Sequence, residues 1–113
     1  MDADRAAELL KRERERIEKS LAELAGQNNG ELASQDQHLA DQGSELYNDE
    51  FEAGQRERLL NELAAVERAE ARLAEGTYGL SIESGEPIPD ERLEAVPTAE
   101  RTAGEQARFE GRR

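Results

Sequence analysis

The 113-residue chain contains no cysteine at all. That excludes disulfides, thiolate metal ligands and thiol redox chemistry, and leaves the redox compartment unmarked. Hydrophobic residues make up only 35% and aromatics 4%, too few for a thick globular core. Such a balance suits long helices that bury one narrow stripe and solvate the rest. Basic residues are also short, 15 against 27 acids, for a net charge of -12. Strong autonomous DNA or RNA binding needs clustered Lys and Arg and is excluded by that balance. A basic protein surface or a cation-rich cleft is the better-matched partner. No apolar run approaches the roughly 20 residues that span a bilayer. The opening Met1-Asp2-Ala3-Asp4 lacks the basic and apolar regions of a signal peptide, so cytoplasmic residence is the expectation. With one histidine, no P-loop and no GxGxxG, there is no constellation for an enzyme. Paired carboxylates abound, but a chain this acidic always offers them on its solvated faces.

What the chain does have is periodicity. From Arg5 to Ala25 there is no Gly or Pro, and Leu10, Ile17 and Leu24 recur every seven residues, with Leu9 and Leu21 widening the stripe. Lys11, Arg12, Arg14, Glu15, Arg16 and Lys19 occupy the opposite face. Asp2 or Asp4 caps this first helix. Gly26-Gln27-Asn28-Asn29-Gly30 is expected to interrupt it, with residues 31–43 forming a bend. A second helix is expected from Ser44-Glu45, or from Asp41 as an alternative cap, to about Glu75. Its stripe is Leu59, Leu63, Val66 and Leu73, with Leu60 on the same side and Glu70 in the gap; Gly76 then ends it. Low hydrophobicity with high charge also describes disordered chains, but regular leucine spacing argues against disorder here. The fold class is therefore mainly α: an antiparallel coiled-coil hairpin over residues 1–76, its tip at about 26–45, expected as a monomer. A helical oligomer, each stripe pairing with another chain, is the alternative.

Composition changes at residue 77. Residues 77–97 hold all three prolines and a scatter of apolar side chains, which reads as a small irregular lobe with one short hairpin; with the C-terminal helix that follows, this domain is expected to span residues 77–113. Tyr78, Leu80, Ile82, Ile88, Leu93, Val96 and Phe109 are the candidate lobe core. Asp90 is expected to cap a turn through Leu93, and Thr98 a final helix from Ala99 to about Phe109.

Within the lobe, Ser81 and Ser84 stand two residues apart before Gly85, and Thr102 and Glu105 repeat the spacing further on. A zinc ribbon carries thiolates at such places. The flanking residues, Gly76-Thr77-Tyr78-Gly79, Ser84-Gly85-Glu86-Pro87-Ile88-Pro89 and Arg92-Leu93-Glu94-Ala95-Val96-Pro97-Thr98-Ala99, resemble the DksA/TraR family of bacterial transcription regulators. Residues 31–45 look like the tip of its Gram-positive branch. The likeness covers roughly residues 30–106 and implies a degenerate zinc-finger lobe of residues 77–113 behind the coiled coil.

The resemblance implies direct binding to RNA polymerase, with the coiled coil in the secondary channel, acidic tip residues near the catalytic Mg²⁺, and no DNA contact. The tip residues so implied are Asp36, His38, Asp41 and Glu45. Against the family's Asp-x-x-Asp-x-Ala pattern, Asp41 fits the second acid, His38 replaces the first, and Gly43 replaces the alanine. Asp36, His38 and Asp41 also invite a metal reading, weighed against an ordinary polar turn. Ser81, Ser84, Thr102 and Glu105 mark positions of lost zinc ligands. Three hydroxyls and one carboxylate are a poor set for structural zinc, so no cofactor is expected; the hydroxyls are expected to bond backbone N–H groups instead. The functional expectation is a polymerase-binding regulator of initiation. The alternative is an adaptor coiled coil that dimerises or holds another protein.

Overall fold

A computed structural model describes residues 1–33 and 42–112, with side chains described for 1–26 and 50–112. Among the described residues four helices follow in order: α1 (Ala3–Ala33), α2 (Gln42–Glu75), α3 (Asp90–Ala95) and α4 (Ala103–Gly111). Among the described residues there is no strand; Leu80 and Pro87 form an isolated antiparallel bridge. The fold is mainly α, an antiparallel pair of long helices followed by a small lobe and a C-terminal helix, as the periodicity predicts. No helix among the described residues is long and apolar enough to cross a membrane.

Asp2 starts α1. Its carboxylate accepts the Arg5 N–H at 2.9 Å, satisfying a donor that the first helical turn leaves open. The heptad leucines then behave as their spacing requires: Ala6, Leu9, Leu10, Ile17 and Leu24 are buried. On α2 the buried positions are Leu59, Val66 and Ala69, with Leu63 and Leu73 half-buried. Leu60 is not on that side; it is 50% exposed. The expected break at residues 26–30 does not occur, since α1 continues through both glycines to Ala33. Glycine costs a helix only about 1 kcal/mol relative to alanine, and without proline the ladder of N–H donors stays complete.

Packing divides the molecule into two units, Glu15–Leu63 and the combination of Met1–Arg14 with Ala64–Arg113. In the first, Arg16 pairs with Glu62 at 3.4 Å. A shallow cleft there is lined by Arg16, Ser20 and Leu24 of α1 and by Gln55, Arg58 and Leu59 of α2. Ascending residues on α1 thus meet descending residues on α2, which defines the helices as antiparallel.

In the second unit, Glu70 fills the gap in the α2 stripe. Arg14 of α1 answers it with two hydrogen bonds, 2.6 and 3.2 Å, so the polar interruption is matched across the helix pair. Gly76, at φ +83°, stops α2. Thr77 N–H reaches the Arg72 carbonyl at 2.9 Å and Gly76 N–H the Leu73 carbonyl at 3.3 Å, the two bonds of a Schellman end.

The lobe core is small: Ile88, Leu93 and Ala99, with Met1 and Tyr78 packed against it. Leu80, Ile82 and Val96, expected inside, are 38%, 51% and 41% exposed. The chain here is irregular, so no repeating face assigns its apolar residues to one side. Tyr78 donates its hydroxyl to the Pro97 carbonyl at 2.7 Å. Asp90 is the first residue of α3 rather than its cap; Pro89 holds the cap position without a side-chain bond. Ion pairs tie this lobe to the ends of the long helices. Arg5 grips Glu94 at 2.6 and 2.8 Å, and Arg68 and Arg72 share Glu100 at 3.1 and 3.0 Å. Burial opposes ionisation of Glu100, but Arg68 and then Arg72 outweigh it and hold its carboxyl below the usual range.

Candidate functional site

Two sets of residues carry the functional expectations. Asp36, His38 and Asp41 lie outside the described residues, and Glu45 is described only as backbone of α2. Ser81, Ser84, Thr102 and Glu105 are all described, and the structure brings the four together.

One half is the turn from Ser81 to Gly85. Gly85, at φ +76°, closes it by donating its N–H to the Ser81 carbonyl at 2.9 Å. Ser81 is buried. Its Oγ accepts the N–H groups of Glu83 and Ser84 at 3.1 and 3.2 Å, as expected of a hydroxyl standing at a knuckle. Ser84 Oγ accepts the Glu86 N–H at 3.3 Å.

The other half is the start of α4. Thr102, not Thr98, is the cap. Its Oγ1 accepts the Glu105 N–H at 3.2 Å while Glu105 Oε1 accepts the Thr102 N–H at 2.9 Å. This is a reciprocal capping box, whose T-x-x-E signature is legible in Thr102-Ala103-Gly104-Glu105.

Glu105 joins the halves. It is 6% exposed, yet its carboxyl is pulled down to about 2. Hydrogen bonding from the Ser84 hydroxyl contributes most, then the Thr102 N–H, then the Ser81 hydroxyl, and together they outweigh burial. A buried carboxylate is thus held ionised by neutral donors from both halves of the lobe.

That arrangement decides whether zinc fits. A hydroxyl has one proton and two lone pairs. At Ser81 both lone pairs are taken by backbone N–H groups. Thr102 Oγ1 is engaged by the Glu105 N–H. Structural zinc needs four tetrahedral ligands, chiefly thiolates or imidazoles; one carboxylate and three committed hydroxyls do not fit it. No cluster of three His, Cys, Asp or Glu side chains that could hold a metal exists among the described residues.

A second clasp, not anticipated from the sequence, closes the same region. Arg101 Nε bonds Glu83 at 2.5 Å and the guanidinium lies 3.8 Å from the Phe109 ring centroid. Ile82 N–H reaches the Glu100 carbonyl at 2.9 Å. No spacing rule links an Arg to an acid 18 residues away, so nothing in the sequence signals the pair.

Residues 76–111 match the family model described as the prokaryotic dksA/traR C4-type zinc finger. The RNA polymerase-binding transcription factor DksA of Caulobacter vibrioides is 38% identical over 74 residues, 66% of this chain and 52% of that protein. The solved structure of transcription factor DksA2 from Pseudomonas aeruginosa superposes with a TM-score of 0.60 at 29% identity, covering 99% of this chain and 92% of that one. The chain belongs to the DksA/TraR family. A further relative, the uncharacterized protein YteA of Bacillus subtilis, is 41% identical over 70 residues, 62% of this chain but 29% of that protein. The chain thus spans about half or less of the length of these two curated relatives. The family model is described as a C4-type finger, whereas this chain has no cysteine.

Proposed function

We propose that this protein is a cytoplasmic transcription regulator that binds RNA polymerase directly and modulates initiation without binding DNA or a membrane. The observation that carries the reading is the likeness to DksA2 over nearly the whole chain; a relative named as polymerase-binding supports it. In this reading the helical hairpin of residues 1–76 enters the secondary channel as a monomer. Asp41, with Asp36, His38 and Glu45, brings negative charge toward the catalytic Mg²⁺, and the lobe of residues 77–113 rests on the polymerase outside. The net charge of -12 suits a cation-rich protein channel and opposes a phosphate backbone. Nothing in the site points to enzymatic chemistry. The lobe does its work without zinc, at Ser81, Ser84, Thr102 and Glu105.

Co-purification with the cognate polymerase, followed by cross-linking from residue 41, tests the partner. Cross-links to the catalytic side of the channel are expected. Asp41→Ala should abolish the effect on transcription while polymerase binding persists. Absence of any polymerase binding would favour the adaptor coiled coil instead. Stoichiometric zinc in the purified protein, or unfolding of the lobe by EDTA, would overturn the metal-free reading.

A further inference from the structure

We propose that the Arg14–Glu70 pair is the register lock of the helical hairpin. It selects α1 and α2 as partners, in one alignment, over pairing between like helices of two copies. The inference rests on the monomeric hairpin set out above and not on polymerase binding.

Sequence pattern and geometry meet at this pair. Leu59, Leu63, Val66, Glu70 and Leu73 step along α2 by four and three in turn. On α1, Leu10, Arg14, Ile17, Leu21 and Leu24 step in the same way, so Arg14 belongs to the apolar stripe and not to the opposite face. Each run thus holds one charged residue, and the two are of opposite sign. Both are half-buried, with side chains 31% and 38% exposed. Arg14 Nη2 and Nε donate to the two carboxylate oxygens of Glu70 at 2.6 and 3.2 Å, a bidentate match in a fixed geometry. Three steps further along each run, Leu24 and Leu59 line one cleft, which is the same alignment of the two runs. A slip of α2 by one heptad sets Arg14 against Leu63 in one direction and Glu70 against Leu21 in the other. Either slip leaves a half-buried charge facing leucine without its partner, which is costly. Pairing α1 with α1, or α2 with α2, puts like charges in the seam or sets each charge against an apolar side chain. The other members of both runs are leucine, isoleucine and valine, which fit one another at many alignments and so specify none. A lone polar position in such a seam specifies register and partner at a cost in stability.

An ion pair that only stabilises is the competing explanation, and paired leucines, Arg14→Leu with Glu70→Leu, separate the two. Loss of a merely stabilising pair would weaken the fold and leave the alignment unchanged. Loss of a lock predicts the reverse: a melting temperature at or above the parent's, with the alignment no longer single. Because the chain has no cysteine, Glu23→Cys and Arg58→Cys, which line the same cleft, can carry a spin label on each helix of the full chain. A slip of one heptad moves the labels about 10 Å relative to one another along the helix axis. The labelled parent should show one narrow distance and sediment as a monomer. The leucine pair should add a second, longer distance, or form reversible dimers at concentrations where the parent is monomeric. One parental distance with no dimer would overturn the proposal, and so would a lowered melting temperature with the alignment kept. Arg14→Glu with Glu70→Arg, which exchanges the charges, should keep the parent's single distance and its monomer; behaviour like the leucine pair would count against the lock as well. Dimers in the parent itself would sink the monomeric hairpin and the lock together, whereas a monomeric parent with an unaltered leucine pair would sink the lock alone.

Discussion

Replacing Leu93 by alanine should release the lobe while leaving the residues 15–26 region of α1 intact. Leu93 is 1% exposed and is the buried residue of α3. That helix has six residues and no side-chain cap, far too short to persist alone. Its side chain packs with Ile88, Ala99, Tyr78 and Met1. Leu93 Cδ1 lies 3.5 Å from where a Cβ would stand on Gly79, an ordinary contact distance, so glycine is set there by its φ of +85° and not by packing. Leu→Ala removes three carbons at ~0.8 kcal/mol each, or ~2.4 kcal/mol of transfer energy. The cavity left behind adds to it, and measured core Leu→Ala costs run ~2–5 kcal/mol. A core this small and this close to solvent collapses readily, which places the expected loss near ~3 kcal/mol. At ~1.4 kcal/mol per decade, that is about a hundredfold in an opening equilibrium. The assay is residue-resolved amide exchange. Val96 N–H, bonded to Arg92 O at 2.7 Å, and Ile88 N–H, bonded to Gly79 O at 2.7 Å, should lose about that factor of protection. Amides of Ile17 to Leu24 should not change. Leu93→Met, which conserves volume, should cost under ~1.5 kcal/mol. A loss below about fivefold at Val96 and Ile88 would refute the reasoning, because the lobe would then be held by something other than its apolar centre.

Acid should loosen the lobe before it melts the helices. The carboxyl of Glu105 sits at about 2 against an ordinary 4.5; a depressed carboxylate contributes stability that is complete above the unfolded value and disappears as pH falls from about 4.5 through 2. Glu100 is also lowered and titrates in the same direction, so the check is to compare NMR pH titrations of the parent and Glu105→Gln, with the variant losing part of the acid dependence. Thr102→Ala should cost ~0.5–2 kcal/mol as the loss of a helix cap, while Thr98→Ala stays within ~0.5 kcal/mol; thermal melts of the pair decide which threonine starts α4. Cysteine at all four of Ser81, Ser84, Thr102 and Glu105 should create a site that takes one equivalent of zinc, seen with Co²⁺ as thiolate charge-transfer absorption. Absence of that absorption would mean the four positions do not form a tetrahedral set.

The long helices were legible because a seven-residue repeat leaves little choice of face: Leu10, Ile17 and Leu24 are buried as their spacing requires. Glu70 was visible as a gap, though only the structure shows Arg14 across from it. The glycines at 26 and 30 misled because a cost of about 1 kcal/mol each was read as a stop. In the lobe the signals weaken for a different reason. Without a period, Ile82 and Ile88 look alike, and one is exposed while the other is buried. Thr98 and Thr102 are both cap-type residues followed by alanine, but only Thr102 has a glutamate three positions on. The four polar positions stand out by their spacing and by the family resemblance of the residues around them; that Glu105 is held ionised is not legible there, because spacing carries no sign of charge.

That sign is the substance of the exchange between a metal finger and this lobe. In a four-thiolate finger the centre is a cation and everything around it donates electron pairs. Here the buried group is an anion, the Glu105 carboxylate, and it accepts the Thr102 N–H at 2.9 Å. A single Ser84→Cys would replace the strongest donor to Glu105 with a weak S–H donor, and if the thiol ionised it would place a second negative charge beside a buried carboxylate. Neither form gains enough ligands for zinc. One cysteine should therefore destabilise the lobe without conferring metal binding. Zinc affinity should appear once three thiolates stand beside Glu105, because a carboxylate is itself a zinc ligand and completes the set of four.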